Sequence, residues 1–411
     1  MLAQGILPLL VSAGILLGAN GLIGTLIAVR ASIEGFSDAS IGLMGTAYFL
    51  GFFGGCVTTA RLIIRAGHIR VFAAFCALAA IGTLGFVLIV DVYAWIAIRC
   101  LTGFCFSGLS MVVESWLNER AVSSGRARVL SLYRIVDLAS VTGCQFLLPL
   151  VGAEGFHIFA VAAILFTAAL IPISLSRTSS PPPPSSTRLR PSWIWRLSPV
   201  AAAGCITLGL TNGAFRTVGP VYAQIMGLNV DQVALFMSLS IAAGALSQYP
   251  FGWLSDRTDR RVILLLATGG AAASSLSLAL SGGNSVSAIL IGGFLFGGFS
   301  LPLYSLSAAH ANDHARDGEF IELAAGLTLF YALGASIGPL ISALIIDRFG
   351  APAFFAYTAS LHGWFVLFVL YRMTRRAGVP VTFRSRFVAL LRTSPAIFRL
   401  SRSQNNKKNS T

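Results

Sequence analysis

Five ionisable side chains lie where an apolar chain should have none: Arg99, Glu114, Arg134, Asp137 and Arg216 fall inside or at the edges of long hydrophobic runs. An ion in hydrocarbon is costly, so such residues face a polar cavity or a partner and mark paths for protons, ions or charged solutes. Asp137 is the one carboxylate well within a run, about 12 Å from its end at 1.5 Å per helical residue. A carboxylate so placed is a candidate to load and release a proton. Arg134, three residues earlier on the same helical face, either pairs with it permanently or exchanges between Asp137 and Glu114 as the protein moves. Arg99, about 9 Å inside its own run, and Arg216, near the end of another, favour an anionic solute if both meet a central cavity. Arg216 can equally snorkel to water. Asn20 and Asn212 serve either bonding between helices or a cavity wall.

A second concentration is "GWLSDRTDRR" (252–261), in a chain only 11% charged. Gly252, Asp256, Arg257, Arg260 and Arg261 admit two readings. One is a basic turn that merely fixes topology. The other is a latch, in which Asp256 meets the positive N-terminal end of a neighbouring helix that starts near Val129, a contact worth about 0.3–1 kcal/mol. His310 and His314 are four apart, as zinc ligands on a helix can be, but the Glu of a His-Glu-x-x-His site is missing and no metal is expected. Gly334, Gly338 and Pro339 make their helix bendable, because proline removes a backbone hydrogen bond.

The elements that must position these residues follow from composition. The chain has 411 residues, 55% of them hydrophobic, and a mean hydropathy of +0.79, more than any water-soluble core requires. A membrane helix needs about 20 apolar residues. Twelve stretches qualify, near 6–29, 41–61, 71–90, 93–116, 129–150, 156–175, 198–221, 231–253, 262–281, 286–309, 320–346 and 352–371. The first lacks a preceding basic residue and exceeds a signal-peptide core, so it reads as a retained span. The long unbroken runs exclude a lipid-facing barrel, whose strands would alternate.

If the N-terminus is cytoplasmic, the loops and tail on that side hold 24 of the 29 Lys and Arg, and the opposite side has only Arg30 and Arg348. That is the positive-inside rule. The net charge of +14 thus reflects topology and an anionic lipid surface, not nucleic acid. All six cysteines fall in apolar stretches with no CxxC or Cys/His cluster, which implies neither disulfides nor metal. No Gly-xxxx-Gly-Lys signature offers a nucleotide site, and no cofactor is expected.

A proline-rich segment, "SRTSSPPPPSSTRLRPSW", favours extended chain and divides the stretches six and six. The resulting units are a bundle over 1–175, a linker over 176–197, a bundle over 198–372 and a basic tail over 373–411, where 382–398 suits a short interfacial helix on anionic lipid. The halves repeat each other. Asn20-Gly21 and Asn212-Gly213 are 192 residues apart, as are Thr25 and Thr217, and Gly35 and Gly227. "GFCFSGLS" (103–110) matches "GFLFGGFS" (293–300) at an offset of 190. This marks a duplicated six-helix unit. Arg216, Arg99, Glu114 and Asp137 stand opposite Gly24, Ile289, Tyr304 and Ala332, and residues that break a repeat are better functional candidates than those it preserves.

The loop 252–261 resembles the signature between helices 2 and 3 of a major facilitator half, with Gly252, Asp256, Arg257, Arg260 and Arg261 in its positions and Asp259 where glycine is usual. The first-half copy, "ARLIIRAGHIR", keeps Arg65, Gly67 and Arg70 but has Ala60 and Ile64 for the Gly and Asp. "RCLTG" (99–103) and "GASIGP" (334–339) resemble further signatures of the superfamily, the second displaced from helix 5 to helix 11. "ESWLNERA" (114–121) and "LYSLSAAHANDH" (303–314) are similar to the YcaD-type branch of bacterial members.

The resemblance implies an all-α membrane protein of twelve helices in two pseudo-symmetric bundles, monomeric, in the cell inner membrane with both termini cytoplasmic. It implies a secondary active transporter, not an enzyme, moving a small organic solute by alternating access with proton coupling. The alternatives are a facilitated uniporter and a membrane-embedded lipid-modifying enzyme, which would want paired carboxylates or a metal cluster at one interface. A channel would want a ring of charge, which twelve unlike helices do not provide.

Overall fold

Hydrocarbon offers no water to backbone N–H and C=O groups, so a chain this apolar satisfies them within helices. A computed structural model describes residues 6–120, 126–175, 190–281, 285–315, 319–376 and 387, and among these residues there is no strand. The spanning helices are α1 (Ile6–Ile33), α2 (Asp38–Ala66), α3 (His68–Leu88), α4 (Val92–Arg120), α5 (Arg126–Gln145, continued by Leu147–Val151) and α6 (His157–Ser174). The second half follows as α7 (Pro199–Ile225), α8 (Val230–Arg257), α9 (Arg260–Leu280), α10 (Val286–Asn312), α11 (Phe320–Phe349) and α12 (Pro352–Arg375). Eleven of these are long and apolar enough to cross a membrane by themselves. The broken helix Pro191–Leu197 plus Pro199–Ile225, bent by 115°, makes the twelfth.

The helices outrun the apolar stretches because their polar ends extend past the hydrocarbon. Helix α8, expected to stop at Trp253, continues to Arg257 and ends at Thr258, so Asp256 and Arg257 are helical and not part of the turn. Asp259 then caps α9, its side chain accepting from the Arg261 N–H, a service the usual glycine could not perform. The expected linker also ends sooner, because its last seven residues, Pro191–Leu197, form a helix. Arg190 just before them pairs with Glu322 at the start of α11. The interfacial helix expected over 382–398 lies outside the described residues apart from Phe387.

Symmetry survives in the turns. Gly35 and Gly227 both take positive φ, 76° and 87°, as helix-terminating residues do, and Ser37 and Asn229 then cap α2 and α8. Helices α2 and α4 meet backbone to backbone, since a Cβ on Gly51 would strike the Cys100 carbonyl and one on Gly103 the Tyr48 carbonyl. Small residues that let backbones touch drive association in lipid, where no hydrophobic effect separates helix from tail.

Gly334 and Gly338 do the same against α7, with the Ile206 and Leu210 carbonyls in the way of any side chain. Helix α11 passes Pro339 unbroken from Phe320 to Phe349. Its neighbour α7 carries a π-helical turn at Gly209–Gly213.

The two halves meet at one end of the bundle. Its basic face carries the α2–α3 junction at Gly67, the α8–α9 junction at Thr258 and Asp259 and the ends of α4 and α10, and its far face carries the turns at Gly35 and Gly227. Near the far face, Gly42 of α2 lies against Ala343 and Pro339 of α11, and Gly45 against Thr217 and Pro339. Ser238 of α8 reaches the Thr142 carbonyl of α5 at 3.4 Å. These contacts close the halves over the far face.

Candidate functional site

Between the halves lies a cavity of about 130 Å³. It collects most of the polar residues that the sequence singles out. Asn20, Arg99, Arg134, Asp137 and Arg216 all line it, joined by Tyr48 and Gln145. Three of these come from the symmetry-breaking set, so the departures from the repeat converge on one place.

Arg134 and Asp137 form an ion pair at 2.6 Å, with the spacing of one helical turn. Asp137 is 8% exposed. Glu114 is not in the cavity. It is buried on α4, 1% exposed. Arg134 thus lies with Asp137 in this state. Across the cavity, the Arg99 guanidinium stacks on the Tyr48 ring at 4.5 Å, and the Tyr48 hydroxyl donates to Asn20 Oδ1 at 3.0 Å. Arg216 projects from α7 into the opening and is exposed there. Phe49, Phe52, Phe106, Phe215 and Met237 make much of the remaining wall apolar, and Thr25, Thr217 and Tyr331 add hydroxyls.

Asn20 and Asn212, one repeat apart, have separate fates. Asn20 faces the cavity. Asn212 sits in the π-helical turn, fully buried, and its Oδ1 accepts from Ser300 at 2.9 Å within the second half. Sequence reasoning passed over Tyr48 and Gln145. A signal existed in each: a phenol and an amide inside apolar helices, the amide donating from Nε2 to the Gly21 carbonyl at 3.1 Å while its Oε1 faces no donor.

The charged loop at the basic face is a separate construction. Arg260 is 1% exposed and binds Asp313 at the end of α10 at 2.8 Å, and it also reaches Asp256 at 3.4 Å. Arg261 pairs with Asp259 at 2.6 Å and donates from Nη1 to the Arg376 carbonyl, also at 2.6 Å. Arg257 stacks on Trp253 at 3.9 Å. These bonds tie the ends of α8, α9, α10 and α12 together. Asp256 accepts the backbone N–H of Phe387 at 2.8 Å, and the Phe387 ring fills the space that the missing side chain of Gly252 leaves. The described contacts of Asp256 are thus with Arg260 and the tail. The expected meeting with the start of α5 is not among them.

Arg260→Ala should be costly, because it strips a buried carboxylate of its guanidinium. A loss of about 3–5 kcal/mol is typical of breaking a buried pair, visible as a lower unfolding temperature in detergent. Arg260→Met with Asp313→Leu should recover most of it. If the single change leaves the unfolding temperature unmoved, the clamp contributes nothing.

His310 and His314 meet edge to face, and His314 Nδ1 donates to the His310 carbonyl at 2.9 Å. Among the described residues no group of three or more His, Cys, Asp or Glu is arranged to hold a metal.

Two six-helix halves around a polar cavity, shut at one face, define a multi-pass membrane transporter. The chain belongs to the Major Facilitator Superfamily, whose model matches residues 9–284 and 201–404. Among curated relatives, the MFS-type transporter YcaD of Escherichia fergusonii is 24% identical over 365 residues, covering 88% of this chain and 94% of that protein. An MFS-type transporter of Yersinia pestis is 25% identical over 354 residues, covering 85% and 90%. Among solved structures, the nucleoside transporter NupG superposes with a TM-score of 0.72 at 12% identity, over 90% of this chain and 98% of that one. A bacterial homolog of the human lysosomal transporter Spinster, inward-facing and unoccupied, gives 0.65 at 14% identity over 98% and 97%. The chain is therefore a transporter of the YcaD type and not an enzyme, and its substrate is a small molecule.

Proposed function

We propose that this protein is a proton-coupled secondary transporter that carries a small organic solute by alternating access. It acts as a monomer in the bacterial inner membrane, with both termini cytoplasmic and anionic lipid against the basic face. The observation that carries the reading is the Arg134–Asp137 pair, a titratable carboxylate and its cation set in the wall of the central cavity. A proton on Asp137 releases Arg134, and that exchange links proton binding to the arrangement of the helices. With the basic face cytoplasmic, the sealed far face makes this the inward-open state.

The test is accumulation. Proteoliposomes exposed to an isotopically labelled metabolite extract, with and without an imposed pH gradient, should concentrate at least one solute only when the gradient is present, and a protonophore should abolish the effect. Equal entry under both conditions would make the protein a uniporter. No entry at all would remove the transport mechanism proposed.

Asp256 belongs to the same cycle. We take it as one half of a latch that joins the start of α5 when the far face opens, and that the Phe387 N–H occupies in the present state. Phe387→Pro deletes that donor and the ring on Gly252 together. Freed, Asp256 should shift the population about fivefold toward the far-side-open state, from a charge–dipole gain of about 1 kcal/mol. Cysteines at the basic-face ends of α5 and α8 should then react more slowly with aqueous reagents. Unchanged reactivity would return the loop to a topological role.

A further inference from the structure

The cavity wall is unbalanced in charge. Arg134 has Asp137, but among the described residues no carboxylate lies within ion-pair reach of Arg99 or Arg216. We propose that these two guanidiniums bind a small organic oxyanion, a carboxylate or phosphate monoester with an apolar body, gripped from both halves at once. The proposal rests on the transport reading of the same cavity.

Arg99 is 5% exposed. Its flat face is covered by Tyr48, and its Nε has no acceptor. A buried cation without a counter-ion is unfavourable, and stacking on an aromatic ring leaves the in-plane N–H groups unused. Arg216 comes from the other half and forms no hydrogen bond among the described residues. Arg216 is close enough to repel both Arg99 and Arg134. An anion between them relieves that repulsion, and the planar fork of arginine matches the two oxygens of a carboxylate or phosphate. A packing role for the Arg99–Tyr48 stack would account for Arg99 alone. It leaves unexplained a second cation opposite, where the repeat has Gly24.

The remaining wall sets the body of the solute. Phe52, Phe106 and Phe215 offer apolar surface, and the cavity of about 130 Å³ takes roughly ten water-sized atoms at about 10–15 Å³ each. Charge also fixes the direction of coupling. A proton on Asp137 frees Arg134 as a third guanidinium for the oxyanion, so proton and anion favour each other's binding and travel the same way.

The test reads the field in the cavity. Gly24 lines the cavity, and a Cβ there meets nothing within 4 Å, so Gly24→Cys in a background without the native cysteines places a thiol beside both arginines. Anionic 2-sulfonatoethyl methanethiosulfonate should modify it at least tenfold faster, relative to the cationic trimethylammonioethyl reagent, than it modifies a free thiol. Arg216→Gln, at an exposed position, and Arg99→Gln should each erase most of that preference, and the first keeps the test alive if the second fails to fold.

Labelling of the same thiol by neutral N-ethylmaleimide should be slowed severalfold by benzoate or phenyl phosphate and not by benzamide. The two anions separate a carboxylate from a phosphate preference. A reagent ratio equal to that of a free thiol, or labelling slowed by neither anion or equally by benzamide, overturns the proposal. Neither measurement uses a gradient. A lost charge preference beside intact pH-driven accumulation therefore discards the oxyanion alone, and the reverse pattern discards only the coupling.

Discussion

Asp137→Asn should abolish accumulation of solute against its gradient while leaving downhill exchange in place. The amide has the size and shape of the protonated acid but can neither lose nor gain the proton. Arg134 then stays in its released arrangement, and the helices move without reference to pH. One coupled proton sustains about a tenfold concentration ratio per pH unit, since one unit is 1.36 kcal/mol. In the variant that ratio should fall to one. Counterflow of labelled for unlabelled solute should continue, which separates lost coupling from a misfolded protein. Accumulation that persists in Asp137→Asn would take the carboxylate out of the coupling path and leave uniport as the reading.

Gly42→Leu should arrest the cycle by a different route. A Cβ at residue 42 would stand 2.5 Å from the Ala343 side chain and 2.7 Å from the Pro339 carbonyl. The second of these is backbone and cannot turn aside. Overpacking of this kind costs about 1–3 kcal/mol, and here the cost falls only on the state with the far face closed. The population should therefore move roughly fivefold to more than a hundredfold toward far-side opening. A cysteine in the cavity should become reactive to impermeant reagents added from the far side, and solute exchange should slow. Exchange at the normal rate, with no new reactivity, would mean that α2 and α11 do not form the seal.

Much of this architecture was legible in the sequence because lipid enforces it. Apolar runs of spanning length become helices, and Gly, Phe, Gly and Ser repeated at one offset can only be a duplication. Of the residues that break the repeat, Arg99, Asp137 and Arg216 line the cavity. The repeat misled where local geometry differs. Asn20 and Asn212 share an offset and a neighbour, yet one lines the cavity and the other bonds Ser300, because the π-helical turn at Gly209–Gly213 alters the facing of its residues without changing their number. Glu114 stands near Asp137 in the sequence pattern, but it is buried on α4 and does not line the cavity. The clamp at the basic face was legible as charge and not as contact, since nothing in "GWLSDRTDRR" points to Asp313 or to the carbonyl of Arg376.

That clamp makes the halves mechanically unequal. In the second half, Arg260 and Arg261 bind the ends of four helices into one piece, with Asp313 and the Arg376 carbonyl as the anchors. The corresponding loop of the first half has Arg61, Arg65 and Arg70 exposed, and among the described residues these form no ion pair. Among the described residues, the second half is thus cross-braced by ion pairs at this end, while the first half shows there the His68 contacts with Ser115 and Trp116. A load that prises the halves apart therefore meets, in the second half, four helix ends that move as one piece.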